Sequence, residues 1–221
     1  MVSNKHKLIL LTPPKTASNS IIRSLEEIGV VFNTPLKNVK HPITHLTLDE
    51  IIDLYNIQNI DEYKVIQFVR NPFDRFISAY IHQIEIMGRE DISLEQMIEK
   101  VETYKNISKT NMDNFYEKFY GGLTYKQIKF HNKNWGGLRF WWEQNWWNES
   151  KKEIKIFKFE EITKDIKPLS EYINIELVEL KNIRPNMGEK NIVNYESFKN
   201  QFGKKIYDMY INDFKLYEYE L

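Results

Sequence analysis

Leu8-Ile9-Leu10-Leu11-Thr12-Pro13-Pro14-Lys15-Thr16-Ala17-Ser18-Asn19-Ser20-Ile21-Ile22 is the stretch whose reading decides the fold. Its first four residues form a short apolar run ended by Thr-Pro-Pro, the pattern of a buried strand. A helix follows at once. Ser18 or Asn19 can cap it, Ile21, Ile22, Leu25 and Ile28 share one face, and Gly29 stands at the C′ position. A loop that feeds a helix N-terminus presents N–H groups without helical partners and the positive end of the dipole, where phosphate-like groups bind. Lys15 adds a full charge to this loop, and Thr16, Ser18 and Ser20 add hydroxyl donors.

Outward from this unit the pattern repeats. Val30-Val31-Phe32 reads as a second strand. Thr47-Leu48-Asp49-Glu50 is a capping box and opens a short helix through Leu54. Residues 64–69 read as a strand. Asn71 and Pro72 then supply an N-cap and an N1 proline for a helix from Phe73 to about Met87. Ser93 with Gln96 starts another helix, to about Tyr104. Residues 154–159 alternate as a strand, a helix from about Glu161 to Tyr172 follows, 180–194 read as a loop, and a last helix runs from about Tyr195 to Tyr217. Residues 105–150 are rich in Asn and aromatics, carry two Gly-Gly pairs and hold all five tryptophans; helices broken by loops are expected there. Strands alternating with helices predict an α/β fold with a mostly parallel central sheet flanked by helices. Ligands of such sheets sit at the carboxyl ends of the strands.

Composition narrows the function. A chain of 221 residues suits a single domain with ample core, and 42% hydrophobic residues exclude a disordered protein. Formal net charge is zero, so any anion site is local and no nucleic-acid partner is expected. No apolar run approaches the ~18 residues that span a bilayer, so no membrane insertion is expected. The apolar run at Leu8 begins too early to leave room for an anchor, which predicts a cytoplasmic enzyme of bacterial or viral origin. With no cysteine, disulfides and thiolate metal sites are excluded. The chain holds 28 isoleucines and 21 asparagines but only two alanines. That bias resembles the codon usage of an AT-rich genome, so the two alanines, Ala17 and Ala79, are informative.

Ala79 lies in a second anion-binding segment, Val69-Arg70-Asn71-Pro72-Phe73-Asp74-Arg75-Phe76-Ile77-Ser78-Ala79-Tyr80. An Arg closing a strand can grip phosphate oxygens in a fork geometry that Lys cannot match, and Ser78, about two turns into the next helix, can donate to the same group. The first loop is not a Walker A loop, since it contains no glycine. Arg70 also stands where a nucleotide hydrolase commonly places an Asp for magnesium. A magnesium-nucleotide enzyme is therefore disfavoured.

Together the two segments resemble the 5′-phosphosulfate and 3′-phosphate motifs of sulfotransferases that use 3′-phosphoadenosine-5′-phosphosulfate (PAPS). Pro14-Lys15-Thr16-Ala17-Ser18 is similar to the family's Pro-Lys-Thr-Gly-x-[Ser/Thr] loop. Arg70 to Tyr80 matches every fixed position of its Arg-Asn-Pro-x-x-Arg-x-x-Ser-x-Tyr signature. Phe157-Lys158-Phe159-Glu160-Glu161-Ile162 is similar to the family's strand ending in an aromatic and an acid. Residues 186–219 resemble the carboxyl-terminal loop and helix of carbohydrate-type members. About 85–150 lies outside the resemblance. The resemblance implies a three-layer P-loop-like fold, one sulfotransferase domain over 1–221, and a variable, Trp-rich acceptor-side insertion at about 105–150. Ala17 replaces the family's usual Gly, which predicts that the loop keeps negative φ there.

The resemblance also implies roles. Lys15 stabilises the bridging oxygen and the leaving 5′-phosphate. Thr16, Ala17, Ser18, Asn19 and Ser20 hold the phosphosulfate, and Arg70 and Ser78 hold the 3′-phosphate. Arg184, Asn186 and Lys190 close over the nucleotide. PAPS is the donor, PAP the product, and no metal is needed. The acceptor that the resemblance implies is a small molecule or oligosaccharide, a glycan hydroxyl with an amine as the variant.

A base must take the acceptor's proton, and a His of near-neutral pKa suits that task. His45 is the candidate: carbohydrate-type relatives often carry a His just before a Thr-x-x-Glu-like helix start, and His45-Leu46-Thr47 is similar. His41 is the reserve, and Glu160 and Glu50 stay open. Trp142 and Trp146, spaced i,i+4, could stack on a sugar ring, although two or three of five clustered Trp are expected in the core. Two other readings compete. One is a divergent P-loop nucleotide or phosphoryl-transfer enzyme. The other is a non-catalytic carbohydrate-binding module, which has no need of Lys15, Arg70 and Ser78 together.

Overall fold

The computed structural model describes residues 1–33, 45–85, 92–110, 141–148, 152–181 and 194–220. Four strands form one sheet in the order β1 (Val2–Ser3), β2 (Leu8–Leu11), β3 (Lys64–Val69), β4 (Lys155–Lys158). β2, β3 and β4 are parallel, with Leu10 opposite Ile66 and Phe68 opposite Phe157; β1 is antiparallel to β2. The helices are α1 (Ser18–Glu27), α2 (Leu48–Tyr55), α3 (Pro72–Glu85), α4 (Leu94–Thr110), α5 (Phe159–Ile162), α6 (Lys167–Ile173), α7 (Tyr195–Met209) and α8 (Ile211–Leu216). A mostly parallel sheet flanked by helices is the α/β architecture that the pattern predicts.

Two compact units divide the chain. The first comprises Met1–Arg75 and Glu143–Leu221 and contains the sheet. All four residues of β2 are buried, as strands covered on both faces require. On one face Leu8, Leu10, Ile66, Phe68 and Phe157 pack in a cluster with Ile21, Ile22 and Leu25 of α1 and Ile162, Leu169 and Ile173 of α5 and α6. By strand alternation Gln67 points the other way, where its side-chain amide donates to the Gln144 carbonyl (2.6 Å). The second unit, Phe76–Trp142, holds most of α3 and all of α4. Ala79, Met97, Ile98, Val101, Trp141 and Trp142 are buried, and the Phe76 and Trp141 rings pack at 5.1 Å.

Several boundaries differ from expectation. Residues 30–32 form no strand, although Val30 and Phe32 are buried and Val31 is exposed. The antiparallel β1 takes the place beside β2, and Asn33 N–H reaches it through a single bond to the Val2 carbonyl (2.7 Å). The helix expected over Glu161–Tyr172 is two helices. Pro168 in the first turn of α6 lacks the N–H that a helix continuing from α5 would need, and its ring clashes with such a continuation. The last helix breaks at Tyr210, at φ −119° and ψ 27°, between α7 and α8. α4 runs on to Thr110. Gly29, at φ 86°, ends α1 as predicted; its N–H bonds the Glu26 carbonyl and the Val30 N–H bonds the Leu25 carbonyl, the two bonds of a Schellman motif.

Candidate active site

The loop between β2 and α1 is closed by its own side chain. Thr16, fully buried, donates its hydroxyl to the Pro13 carbonyl (2.7 Å). Lys15 (φ 69°) and Ala17 (φ 60°) flank it in the left-handed region, so the expected negative φ at Ala17 is overturned. The chain must turn sharply at Ala17 so that its carbonyl can accept the first helical bond, from Ile21 N–H (3.1 Å). That turn needs the conformation glycine adopts without strain, and each residue with a Cβ held there costs about 1–2 kcal/mol. Ala17 is itself the N-cap of α1, and no side chain caps that helix. By contrast Thr47 and Glu50 form a capping box on α2, and Asn194 caps α7. Ser18 and Asn19, the two expected caps, are instead the first two helical residues. The first turn of α1 thus aims its N–H groups at the loop without a side-chain acceptor, the arrangement that suits an anion.

His45 meets this loop across 33 residues of sequence. Its backbone N–H donates to Thr12 Oγ1 (3.3 Å), and its Nδ1 lies 2.6 Å from the Thr12 carbonyl oxygen. A carbonyl only accepts, so Nδ1 carries the proton and Nε2 bears the lone pair of the neutral ring. His45 also has positive φ, 64°. Three of the seven such non-glycine residues among the described ones, Lys15, Ala17 and His45, thus lie on this one loop and its partner. Backbone strain concentrates at functional sites. The two carboxylates left open as bases are engaged elsewhere. Glu50 Oε2 accepts the Thr47 N–H (2.8 Å). Glu160 accepts the Asn71 N–H (2.8 Å) and the Tyr219 hydroxyl (2.9 Å).

Arg70 follows the neighbouring strand β3, so its peptide and the first loop both lie at carboxyl ends of adjacent parallel strands. Its guanidinium carbon sits 5.1 Å from the centroid of the Phe159 ring. Burial lowers its pKa, and the charges of Asp74 and Glu160 oppose that shift. Its Nε is buried with no hydrogen-bond partner among the described residues. A half-buried cation whose buried Nε lacks an acceptor fits an anion that supplies one. Tyr195 donates to Asp74 Oδ1 (2.8 Å), and burial with that bond pushes its hydroxyl pKa above the ordinary range. A cleft of about 900 Å³ is lined by Ser20 of α1, Phe159 of α5 and residues between 162 and 181; Lys15, His45 and Arg70 do not line it.

Ser78 is half-buried on α3, within the second unit. Trp142 is buried, as are Trp141 and Trp147, whereas Trp146 is half-exposed. Trp142 precedes a 3₁₀ turn over Gln144–Asn148, so the i,i+4 spacing does not make a helical face. His41, Arg184, Asn186 and Lys190 lie outside the described residues. Among the described residues no group of three or more His, Asp or Glu is arranged to hold a metal ion. No helix among them is long and apolar enough to cross a membrane.

Sequence reasoning missed Gln144. Its Oε1 accepts the Arg70 N–H (2.8 Å) and its Nε2 donates to the Arg70 carbonyl (2.8 Å). No local signal marks it, since it sits among tryptophans in the segment outside the resemblance.

The uncapped helix after β2, the half-buried Arg70 after β3 and the parallel sheet together fit a P-loop-like α/β fold. The chain belongs to the sulfotransferase family, whose profile matches residues 1–220. Sulfuryl transfer is therefore its class of reaction. Among solved structures it is similar to a sulfotransferase from Alicyclobacillus acidocaldarius, at 13% identity and TM-score 0.50, over 97% of this chain and 96% of that one. Comparison with curated proteins yields no match.

Proposed function

We propose that the chain is a single-domain PAPS-dependent sulfotransferase that sulfates a hydroxyl, or an amine, of a small-molecule or glycan acceptor. The observation that carries this reading is the half-buried Arg70 with its buried, orphaned Nε, one strand away from the uncapped loop of Lys15. The donor has an anion at each end of one nucleoside: a 5′-phosphosulfate for the loop and a 3′-phosphate for Arg70 and Ser78. The cleft that Ser20 and Phe159 line, with Phe159 5.1 Å from the Arg70 guanidinium, is assigned to the adenosine. In the transfer, the acceptor oxygen forms a bond to sulfur while the bond from sulfur to the 5′-phosphate oxygen breaks. The electron pair stays on the phosphate, where Lys15 and the α1 N–H groups stabilise it. His45 Nε2 takes the acceptor proton. No metal is required, because Lys15 and the helix terminus supply the positive charge. Arg184, Asn186 and Lys190 close the nucleotide side, and His41 and Trp146 belong to the acceptor side. The segment 105–150 sets the choice of acceptor.

A thermal-shift comparison tests the donor. PAP is expected to raise the melting temperature more than AMP or ATP at equal concentration, since stabilisation follows ligand over Kd. The preference should vanish in Arg70→Ala. Equal shifts for all three nucleotides would reject the reading, and magnesium-dependent ATP turnover would favour a phosphoryl-transfer enzyme. The base has a separate test. His45→Ala is expected to lower kcat by about 10²-fold or more while the Kd for PAP changes only a few-fold. Unchanged turnover would remove His45 from that role.

A further inference from the structure

We infer that Gln144 is a positioning residue of the 3′-phosphate site and acts through the backbone of Arg70; the inference rests on the donor reading above. The Gln144 amide treats the Arg70 peptide as a strand neighbour would. It accepts from the N–H (2.8 Å) and donates to the carbonyl (2.8 Å), one residue beyond the last residue of β3. Only one orientation of the amide satisfies both bonds, because the Arg70 N–H can only donate and its carbonyl can only accept. The clamp is itself fixed by two buried residues. Asp213 of α8, fully buried, accepts the Gln144 backbone N–H (2.8 Å) and lies 3.4 Å from its Nε2. Gln67 of β3 donates to the Gln144 carbonyl (2.6 Å). Gln144 itself is fully buried, so none of these bonds competes with bulk water.

The next peptide is held in the same manner, Asn71 N–H on Glu160. The turn that aims the Arg70 side chain is therefore set by side chains distant in sequence. A guanidinium must sit within a fraction of an ångström to hold an anion in fork geometry. Releasing the Arg70 peptide should cost recognition of the 3′-phosphate and little else.

The test measures Kd for PAP and for AMP in wild type, Arg70→Ala, Gln144→Met and the double variant. Met keeps the length of the side chain and removes both bonds. The PAP-over-AMP preference is expected to fall at least tenfold in Gln144→Met, with the AMP Kd within about threefold of wild type. The double variant should lose no more than Arg70→Ala alone, because both changes act on one contact. A merely structural Gln144 would weaken PAP and AMP alike and add its effect to that of Arg70→Ala; that outcome would overturn the inference, as would an unchanged preference. If wild type itself shows no preference for PAP, the donor reading fails and this inference falls with it. Should Gln144→Met not fold, Gln144→Asn carries the same test, since it retains both groups but draws them back by one methylene.

Discussion

Lys15→Ala is expected to lower kcat by about 10²–10³-fold, the loss typical of removing one donor that stabilises developing transition-state charge. The expectation comes from where the loop puts this residue. Lys15 follows Pro14 in a left-handed conformation, and the Thr16 hydroxyl bound to Pro13 fixes the turn around it. Charge on the leaving phosphate grows as the bond to sulfur stretches, so a cation beside it is worth more in the transition state than in the ground state. Affinity for PAP, which already carries the full phosphate charge, should weaken as well, but by less than kcat. Lys15→Arg keeps the charge and changes its shape, and should recover only part of the rate. Steady-state kinetics with PAPS and a model acceptor reads both numbers. A variant with normal kcat and a raised KM would assign Lys15 to binding alone.

How far the letters reach is clear from these residues. β2, its loop and α1 were legible because the signal is local: four apolar residues, two prolines, a helical face and a glycine stop. β3 was legible for the same reason, and the structure gives Lys64–Val69 as read. β1 has two residues, too short for any period, and exists only because it pairs with β2. At Ala17 a general rule against positive φ lost to the demands of loop closure. The α7–α8 break at Tyr210 has neither Gly nor Pro to announce it. The donor side of the site could be read from Lys15 and Arg70, whose chemistry is visible in their side chains. Gln144 could not be read, because its role is created by the fold that brings positions 70, 144 and 213 together.

Asp213→Ala is expected to destabilise the fold by about 3–5 kcal/mol near pH 5, the loss typical when a buried polar group leaves its partners unpaired. Asp213 accepts the N–H groups of Gln144 (2.8 Å) and Asn145 (3.1 Å), and the Arg75 charge lies nearby. Burial nonetheless dominates and raises its pKa from 3.8 to about 6 against the opposing effects of Arg75 and the two N–H groups. The sign of the pH dependence follows. A raised pKa means that the folded chain binds this proton more tightly than the unfolded chain does. Its contribution is therefore fully present below the unfolded value and is lost as pH rises through 6. The shift corresponds to about 3 kcal/mol. The stability gap between wild type and Asp213→Ala, measured by urea unfolding, should thus shrink by up to about 3 kcal/mol between pH 4 and pH 8. A gap that widens with pH would mean that Arg75 and the backbone bonds outweigh burial, with the carboxylate held ionised instead. The direction matters for the site, because the carboxylate that loses its contribution at high pH is the one that anchors Gln144, and through it the peptide that aims Arg70.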